Sequence, residues 1–165
     1  AGCVTEQAKT GYSKSRVETI VESEAAPHDS LLVFRTSGFK LWESQDAEFL
    51  VNRDSVALFK AGGASYLPLQ AGKNKIVVRE PEHFLKCELE FVFEPGTGQF
   101  VEIYERFDPS ALIVGFIFAD LSSRLLYDPH PGTNCAGVYG LSMGHLKQDQ
   151  LVDVYREFSF QVVQR

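Results

Sequence analysis

Apolar side chains recur at every second position along most of the chain after Ser30. A period of two is typical of a β-strand with one buried face, because successive side chains of a strand point to opposite sides of the sheet. Turn residues such as Gly62-Gly63 and Gly72 separate the runs. The runs predict strands over 31–36, 47–52, 55–60, 65–69, 75–79, 84–94 and 99–107. Short strands at this spacing predict a mainly β fold, an antiparallel β-sandwich.

Two segments of the C-terminal third carry different patterns. The apolar run 111–119 follows Ser110, a favourable N-cap residue, so one short helix or an apolar cover segment is predicted near 110–127. A buried strand is the alternative, because the run lacks clear helical periodicity. Alternating apolar residues from Val152 to Val162 predict a final amphipathic strand.

Length and charge limit the classes of protein that fit. A chain of 165 residues suits one domain with a sizeable core. Its net charge of -6 argues against a nucleic-acid partner, because contacts to phosphate need clustered Lys and Arg. The longest apolar run, 111–119, is well short of the ~20 residues that a membrane-spanning helix needs. Any attachment to a membrane is therefore expected through Cys3.

The sequence contains three cysteines. Cys87 shares one face of its predicted strand with Leu89 and Phe91, so it should point inward. If Cys3 is modified, Cys87 and Cys135 remain as a candidate disulfide in an oxidising compartment, with two buried free thiols as the alternative. The strand that holds Cys87 and the next one are joined by Pro95-Gly96-Thr97-Gly98, which predicts a hairpin loop.

The sequence Ala1-Gly2-Cys3, followed by a mostly polar segment, resembles the end of a bacterial lipoprotein signal. This resemblance implies that Cys3 carries more than one acyl chain, which holds a protein firmly because each buried methylene contributes roughly 0.8 kcal/mol. A plain exposed cysteine is the alternative. The expected organisation is a lipid-attachment cysteine and flexible tether over 1–29 and a single sandwich domain over 30–165. About 25 flexible residues span roughly 25–30 Å.

The same resemblance places the protein at the periplasmic face of a bacterial cell envelope. Val4 follows Cys3 at the position where some inner-membrane lipoproteins carry Asp. This difference favours the outer membrane over the inner membrane.

A second resemblance covers about two thirds of the predicted domain. The segments Leu32-Val33-Phe34-Arg35, Tyr66-Leu67-Pro68-Leu69 and Gln70-Ala71-Gly72, with the β-branched run that follows, resemble small envelope lipoproteins with PEGA-like or DUF2846-like β domains. The resemblance implies a small β-sandwich on a lipid tether with a non-catalytic role. It supplies no catalytic residue and no cofactor.

One motif points to catalysis. Gly140-Leu141-Ser142-Met143-Gly144 matches the G-x-S-x-G nucleophile elbow of hydrolases, with His145 directly behind it. An elbow needs a strand before it, a helix after it and a more distant histidine, and no histidine follows His145. The pattern is more typical of a glycine-rich turn before the last strand.

The histidines show no metal-binding spacing, so neither a metal nor a cofactor is expected. An enzyme or ligand carrier would need a pocket that gathers titratable groups. The candidates for such a pocket are His83, His130, His145, Asp128 and Glu102.

Aromatic residues suggest a surface for a partner. Phe100 and Tyr104 lie on the opposite face of their strand from its apolar residues, with Arg106 nearby, and Phe39 and Trp42 follow Gly38. Such a patch would suit a protein partner, because Trp, Tyr and Arg are enriched in binding hot spots. Burial of both strand faces is the alternative.

These patterns favour a membrane-anchored periplasmic lipoprotein that acts as a non-catalytic binding or assembly module of an envelope complex. An envelope hydrolase or small-ligand carrier with a pocket near the histidine-bearing loops is the alternative.

Overall fold

Ten strands and one helix form the part of the chain that the computed structural model describes, residues 28–36, 45–106 and 132–160. The segment predicted as a helix or cover near 110–127 lies outside these ranges, as do Cys3, Phe39 and Trp42. The elements are β1 Ser30–Arg35, β2 Ala47–Val51, β3 Asp54–Phe59, β4 Gly63–Pro68, β5 Gly72–Arg79, β6 Lys86–Phe93, β7 Gln99–Glu105, β8 Thr133–Cys135, β9 Tyr139–His145, α1 Gln148–Glu157 and β10 Ser159–Phe160.

The strands form two five-stranded sheets. The first sheet has the order β10-β4-β1-β7-β9, and the second has the order β3-β2-β5-β6-β8. Most neighbours are antiparallel, whereas β1 with β7 and β10 with β4 are parallel. The predicted mainly β sandwich is confirmed. Its first sheet is mixed, because β7 lies beside β1 and runs in the same direction, after the chain has formed β2 to β6.

The main core lies between the two sheets and follows the predicted alternation. Leu31 and Val33 of the first sheet are fully buried, as are Phe49 and Ile76 of the second. Cys87 points into this core, as its strand pattern predicts. On β6 the positions between the inward residues are charged and at least partly exposed: Lys86, Glu88 and Glu90. The alternation therefore separates core from surface on this strand.

The predicted hairpin at Pro95-Gly96-Thr97-Gly98 is wrong. The strands that it joins lie in different sheets, so this loop carries the chain from the second sheet to the first. Gly98 has a φ of 71°, and a Cβ there would lie 2.6 Å from the carbonyl oxygen of Leu146. The Gln99 amide spans the turn, accepting from the Glu94 N–H at 2.7 Å and donating to the Val92 carbonyl at 2.9 Å. The Pro and Gly residues predict a turn, but they do not indicate whether the next strand pairs with the preceding one or enters the other sheet.

The predicted C-terminal strand is also wrong over most of its length. Helix α1 occupies Gln148–Glu157, and only Ser159–Phe160 forms a strand. Leu151, Val154 and Phe158 are spaced three and four residues apart, which is the spacing of one helix face. The backbone N–H of Lys147 donates to the side chain of Gln150 at 2.9 Å and stabilises the first turn.

Helix α1 adds a third layer on the outer face of the first sheet. Leu151 and Val154 pack with Leu32, Phe34 and Tyr66 into a second apolar cluster. The Phe34 ring lies 4.8 Å from that of Phe158. The first sheet is therefore apolar on both faces over β1 and β4, which explains why Leu31 to Phe34 are all buried.

The two ends of the sandwich differ, and we name them by their residues. At the Arg35 end, β1 and β7 finish and β2 and β9 begin. At the His28 end, the described chain begins, and the carbonyl of His28 accepts from the N–H of Gly96 at 3.0 Å. β1 starts at Ser30, and the predicted division into a tether and a domain stays a prediction.

Candidate functional site

Two residues of the predicted aromatic surface, Phe100 and Tyr104, are half-buried in the first sheet. Phe100 and Tyr104 stand opposite Gly144 and Gly140 in the antiparallel pair of β7 and β9. A Cβ on Gly144 would lie 2.8 Å from Cε1 of Phe100, and one on Gly140 would overlap the Tyr104 ring. Both rings thus lie over glycines of the neighbouring strand, because the side chain of any other residue would occupy the space of the ring. Phe100 also stacks on Phe34 at 5.4 Å, at the edge of the cluster beneath α1.

The same contacts explain the G-x-S-x-G motif. It lies within strand β9, so the predicted glycine-rich turn is wrong, and the motif does not have the strand-turn-helix geometry of an elbow either. Ser142 stands opposite Glu102 between the two aromatic–glycine pairs. The glycines of the motif make room for aromatic rings and carry no oxyanion hole.

The other predicted site residues are spread over the fold. Arg106 is half-buried at the Arg35 end, where its N–H donates to the carbonyl of Val138 at 2.5 Å. His83 lies in the loop between β5 and β6, whereas His145 ends β9 at the His28 end. The structure therefore does not bring these two histidines together. His130 and Asp128 fall outside the described residues, as do Trp42 and Phe39.

Cys87 and Cys135 are bonded to each other. They stand directly opposite in the antiparallel pair of β6 and β8, so the predicted disulfide is confirmed. Because β8 has only three residues, the bond is a main attachment of this edge strand.

Within 28–36, 45–106 and 132–160, no group of three or more His, Cys, Asp or Glu residues is placed to hold a metal ion. The helix of these ranges, ten residues long, is too short to cross a membrane.

A polar cluster closes the Arg35 end between the two sheets. The inward alternation of β1 and β7 ends in Arg35 and Glu105, and that of β9 begins with Tyr139. These three residues carry polar groups, whereas the next inward residue of each strand is apolar. Arg35 is fully buried, and its Nη2 lies 3.4 Å from Oε1 of Glu105, whose side chain is 7% exposed. The guanidinium carbon also lies 5.0 Å from the centre of the Tyr139 ring.

Arg35 also ties the first sheet to the second. Its Nη1 donates to the carbonyl of Gln45 at 2.6 Å, just before β2, and to that of Phe59 at 2.8 Å, at the end of β3. The fork of the guanidinium serves carbonyls and a carboxylate at once, which a lysine cannot do. This use of its donors indicates a structural role, since they point into the protein.

Tyr139 has the most altered acidity of the described groups. Burial raises the pKa of its hydroxyl to about 12, and the carboxylates of Glu80, Glu105 and Asp46 add to the rise while Arg35 opposes it. A phenol with this pKa stays protonated at neutral pH. It cannot serve as a general base there.

A loop that the sequence analysis missed stands out at the same end. Residues 81–85, between β5 and β6, and Lys86, the first residue of β6, are all exposed. Phe84 is 81% exposed, the highest value among the large apolar side chains of the described ranges, and Leu85 is 37% exposed. We call residues 80–86 the tip loop. The sequence pattern placed Phe84 in a strand, because its apolar character continues the alternation of β6.

The outer face of the second sheet carries partly exposed ion pairs. Nζ of Lys75 lies 2.9 Å from Oε2 of Glu88, and Nζ of Lys86 lies 2.6 Å from its Oε1. Hydrogen bonds from these two lysines, Lys86 first, lower the pKa of Glu88. Arg79 and Glu48 form a further pair at 2.7 Å. These pairs keep the face polar and suited to solvent.

Comparison with known proteins gives no relative. No protein-family model matches the chain, and neither the curated proteins nor the solved structures gave a similar protein. The resemblance to PEGA-like or DUF2846-like domains therefore stays a prediction.

Proposed function

We propose that this protein is a membrane-anchored lipoprotein of a bacterial cell envelope, whose sandwich is a non-catalytic binding or assembly module. The observation that carries the proposal is the pairing of Cys87 with Cys135. The sequence has three cysteines, so the disulfide leaves Cys3 as the one thiol open to acylation.

The disulfide also supports an envelope location. Disulfides persist in oxidising compartments such as the periplasm and are rare in the cytosol. Acyl chains on Cys3 would hold the domain at a membrane, and a tether up to His28 would let it reach a neighbouring protein.

The described polar groups support a non-catalytic role. The guanidinium of Arg35 is occupied by carbonyls and by Glu105, and Tyr139 is held protonated. Ser142 lies within a strand and His83 lies at the other end of the sandwich from His145.

Membrane fractionation of the full-length product in its native host tests the proposal. We expect the wild type in the membrane fraction and the Cys3→Ser variant in the soluble periplasmic fraction. The double variant Cys87→Ser/Cys135→Ser is the matched control, because it removes two thiols and should leave the anchoring unchanged. A Cys3→Ser variant that stays with the membrane as the wild type does would contradict the lipid anchor.

A further inference from the structure

We propose that the tip loop, residues 80–86, is the docking site for a protein partner that offers an apolar pocket with a positively charged rim. The inference rests on the proposed function, for which it names the binding surface.

The exposure of the tip loop is the first argument. Single exposed apolar residues are common on protein surfaces, but here a phenylalanine and a leucine are adjacent in a run of six exposed residues. Aromatic side chains that enter a pocket supply much of the affinity at protein interfaces. Phe84 is thus suited to be the anchor.

Contacts within the tip loop favour the conformation in which Phe84 is exposed. The N–H of His83 donates to the carbonyl of Glu80 at 3.1 Å, with Pro81 at the second position of this turn. The imidazole of His83 stacks on the Phe84 ring at 5.9 Å with an interplanar angle of 16°. A preformed loop loses little conformational entropy on binding.

The disulfide fixes the base of the tip loop. Cys87 follows the loop directly, and its bond to Cys135 holds the neighbouring turn against it. In that turn, the N–H of Ala136 donates to the carbonyl of Lys86 at 2.9 Å. Gly137 lies close to Leu85, because a Cβ added to Gly137 would be 3.0 Å from the Cβ of Leu85.

Charge identifies the chemistry of the partner. The tip loop carries the carboxylates of Glu80 and Glu82, while the ammonium of Lys86 is engaged by Glu88. Glu82 has a φ of 64°, in the left-handed region that favours glycine, so its carboxylate lies at a position where a glycine would be less strained. A rim of Lys or Arg around the pocket would complement these groups.

The same charges disfavour two other occupants. An anionic lipid surface would repel the tip loop, which also lies at the opposite end of the sandwich from His28, where the proposed tether joins. A second copy docking by two-fold symmetry would place the carboxylates of Glu82 near each other.

Photo-crosslinking in the native host tests the inference on the full-length chain. A benzoylphenylalanine at position 84 should give one discrete protein adduct, and the same probe at position 92 should not. Val92 is the control because it is also an exposed apolar residue, 50% exposed, on the outer face of β6. An adduct with lipid, with a second copy or within the chain itself would overturn the proposal, and so would no adduct.

The crosslinked partner is then purified for binding measurements. Phe84→Ser should weaken its affinity by at least about tenfold, whereas Val92→Ser should leave it unchanged. Glu82→Lys should also weaken the affinity, and the loss should be larger at low salt than at high salt. Equal effects of the two serine variants would refute a docking role for Phe84. The mass of the Cys3 peptide in the same samples shows separately whether the anchor is present, so the two proposals fail independently.

Discussion

Two ion pairs in this protein differ in their exposure to solvent. Arg35 and Glu105 lie between the sheets, at 0% and 7% side-chain exposure, whereas Lys75 and Glu88 lie on the outer face of the second sheet, at 41% and 21%. The buried pair is surrounded by backbone carbonyls and an aromatic ring, and the outer pair by other charged side chains. The comparison teaches that burial, more than the distance between charges, decides what a pair does for the fold.

The largest effect is expected when the buried pair is broken. Arg35→Met removes the cation beside the Glu105 carboxylate and three hydrogen bonds to two sheets. Loss of one partner of a buried pair typically costs about 3–5 kcal/mol of the free energy of unfolding. Urea denaturation measures the change.

Arg79→Met is the matched control for that variant. Its guanidinium is 33% exposed and pairs at 2.7 Å with the carboxylate of Glu48, which is 12% exposed, so we expect a loss smaller than that of Arg35→Met. Replacing Arg35 and Glu105 together by methionine should restore much of the loss. Equal costs for the two single arginine variants would show that burial does not separate the two classes of pair.

The next effect follows from the acidity of Tyr139. Its pKa is raised from 10.0 to about 12 in the folded state, so the folded protein holds the proton more tightly than the unfolded chain does. The stabilisation is complete below pH 10 and is lost as the pH rises to 12. Two pKa units correspond to about 2–3 kcal/mol. Tyr139→Phe should lack this part of the alkaline loss, and identical wild-type and variant profiles between pH 10 and 12 would contradict the assignment.

A smaller effect is expected on the outer face. Lys75→Met should lower the free energy of unfolding by about 0–1 kcal/mol, and added salt should reduce even this difference, because exposed pairs are screened. Stability in low and high salt is compared with that of the wild type. A salt-independent loss of several kcal/mol would mean that the pair behaves as a buried one.

The smallest effect is expected on the stability at acid pH, through the pKa of Glu88. The pKa of Glu88 is lowered by its hydrogen bonds to Lys86 and Lys75, so its contribution is present above the ordinary value of 4.5 and is lost as the pH falls through the folded-state value. Because the side chain is 21% exposed, we expect at most about 1 kcal/mol. Glu88→Gln should flatten this part of the acid profile, and an unchanged profile would speak against the pairing.

The strands that alternate buried and exposed residues could be predicted from the sequence, whereas contacts between residues far apart in the sequence could not. β1 to β7 follow from the period of two, and the inward position of Cys87 follows with them. Arg35 continues the inward alternation of β1, but its carboxylate partner is 70 residues away in the sequence, so no local pattern indicates the cluster.

The errors have similar physical causes. Val154 and Phe158 fit both an alternating and a helical spacing, and the packing of Leu151 against the first sheet decides for the helix. The contacts of Phe100 and Tyr104 could not be predicted locally, because the glycines that face their rings lie on another strand. The alternation could not place Phe84 in a loop, because the turn at Pro81 and the disulfide set where β6 begins.

The central claim is that a lipid on Cys3 anchors this sandwich, and the mass of the N-terminal peptide tests it most directly. The full-length product is purified from its native host with detergent and digested, and the peptide that contains Cys3 is weighed. We predict a peptide heavier by the mass of its acyl chains. An unmodified Cys3 peptide from a protein recovered without detergent would contradict the account.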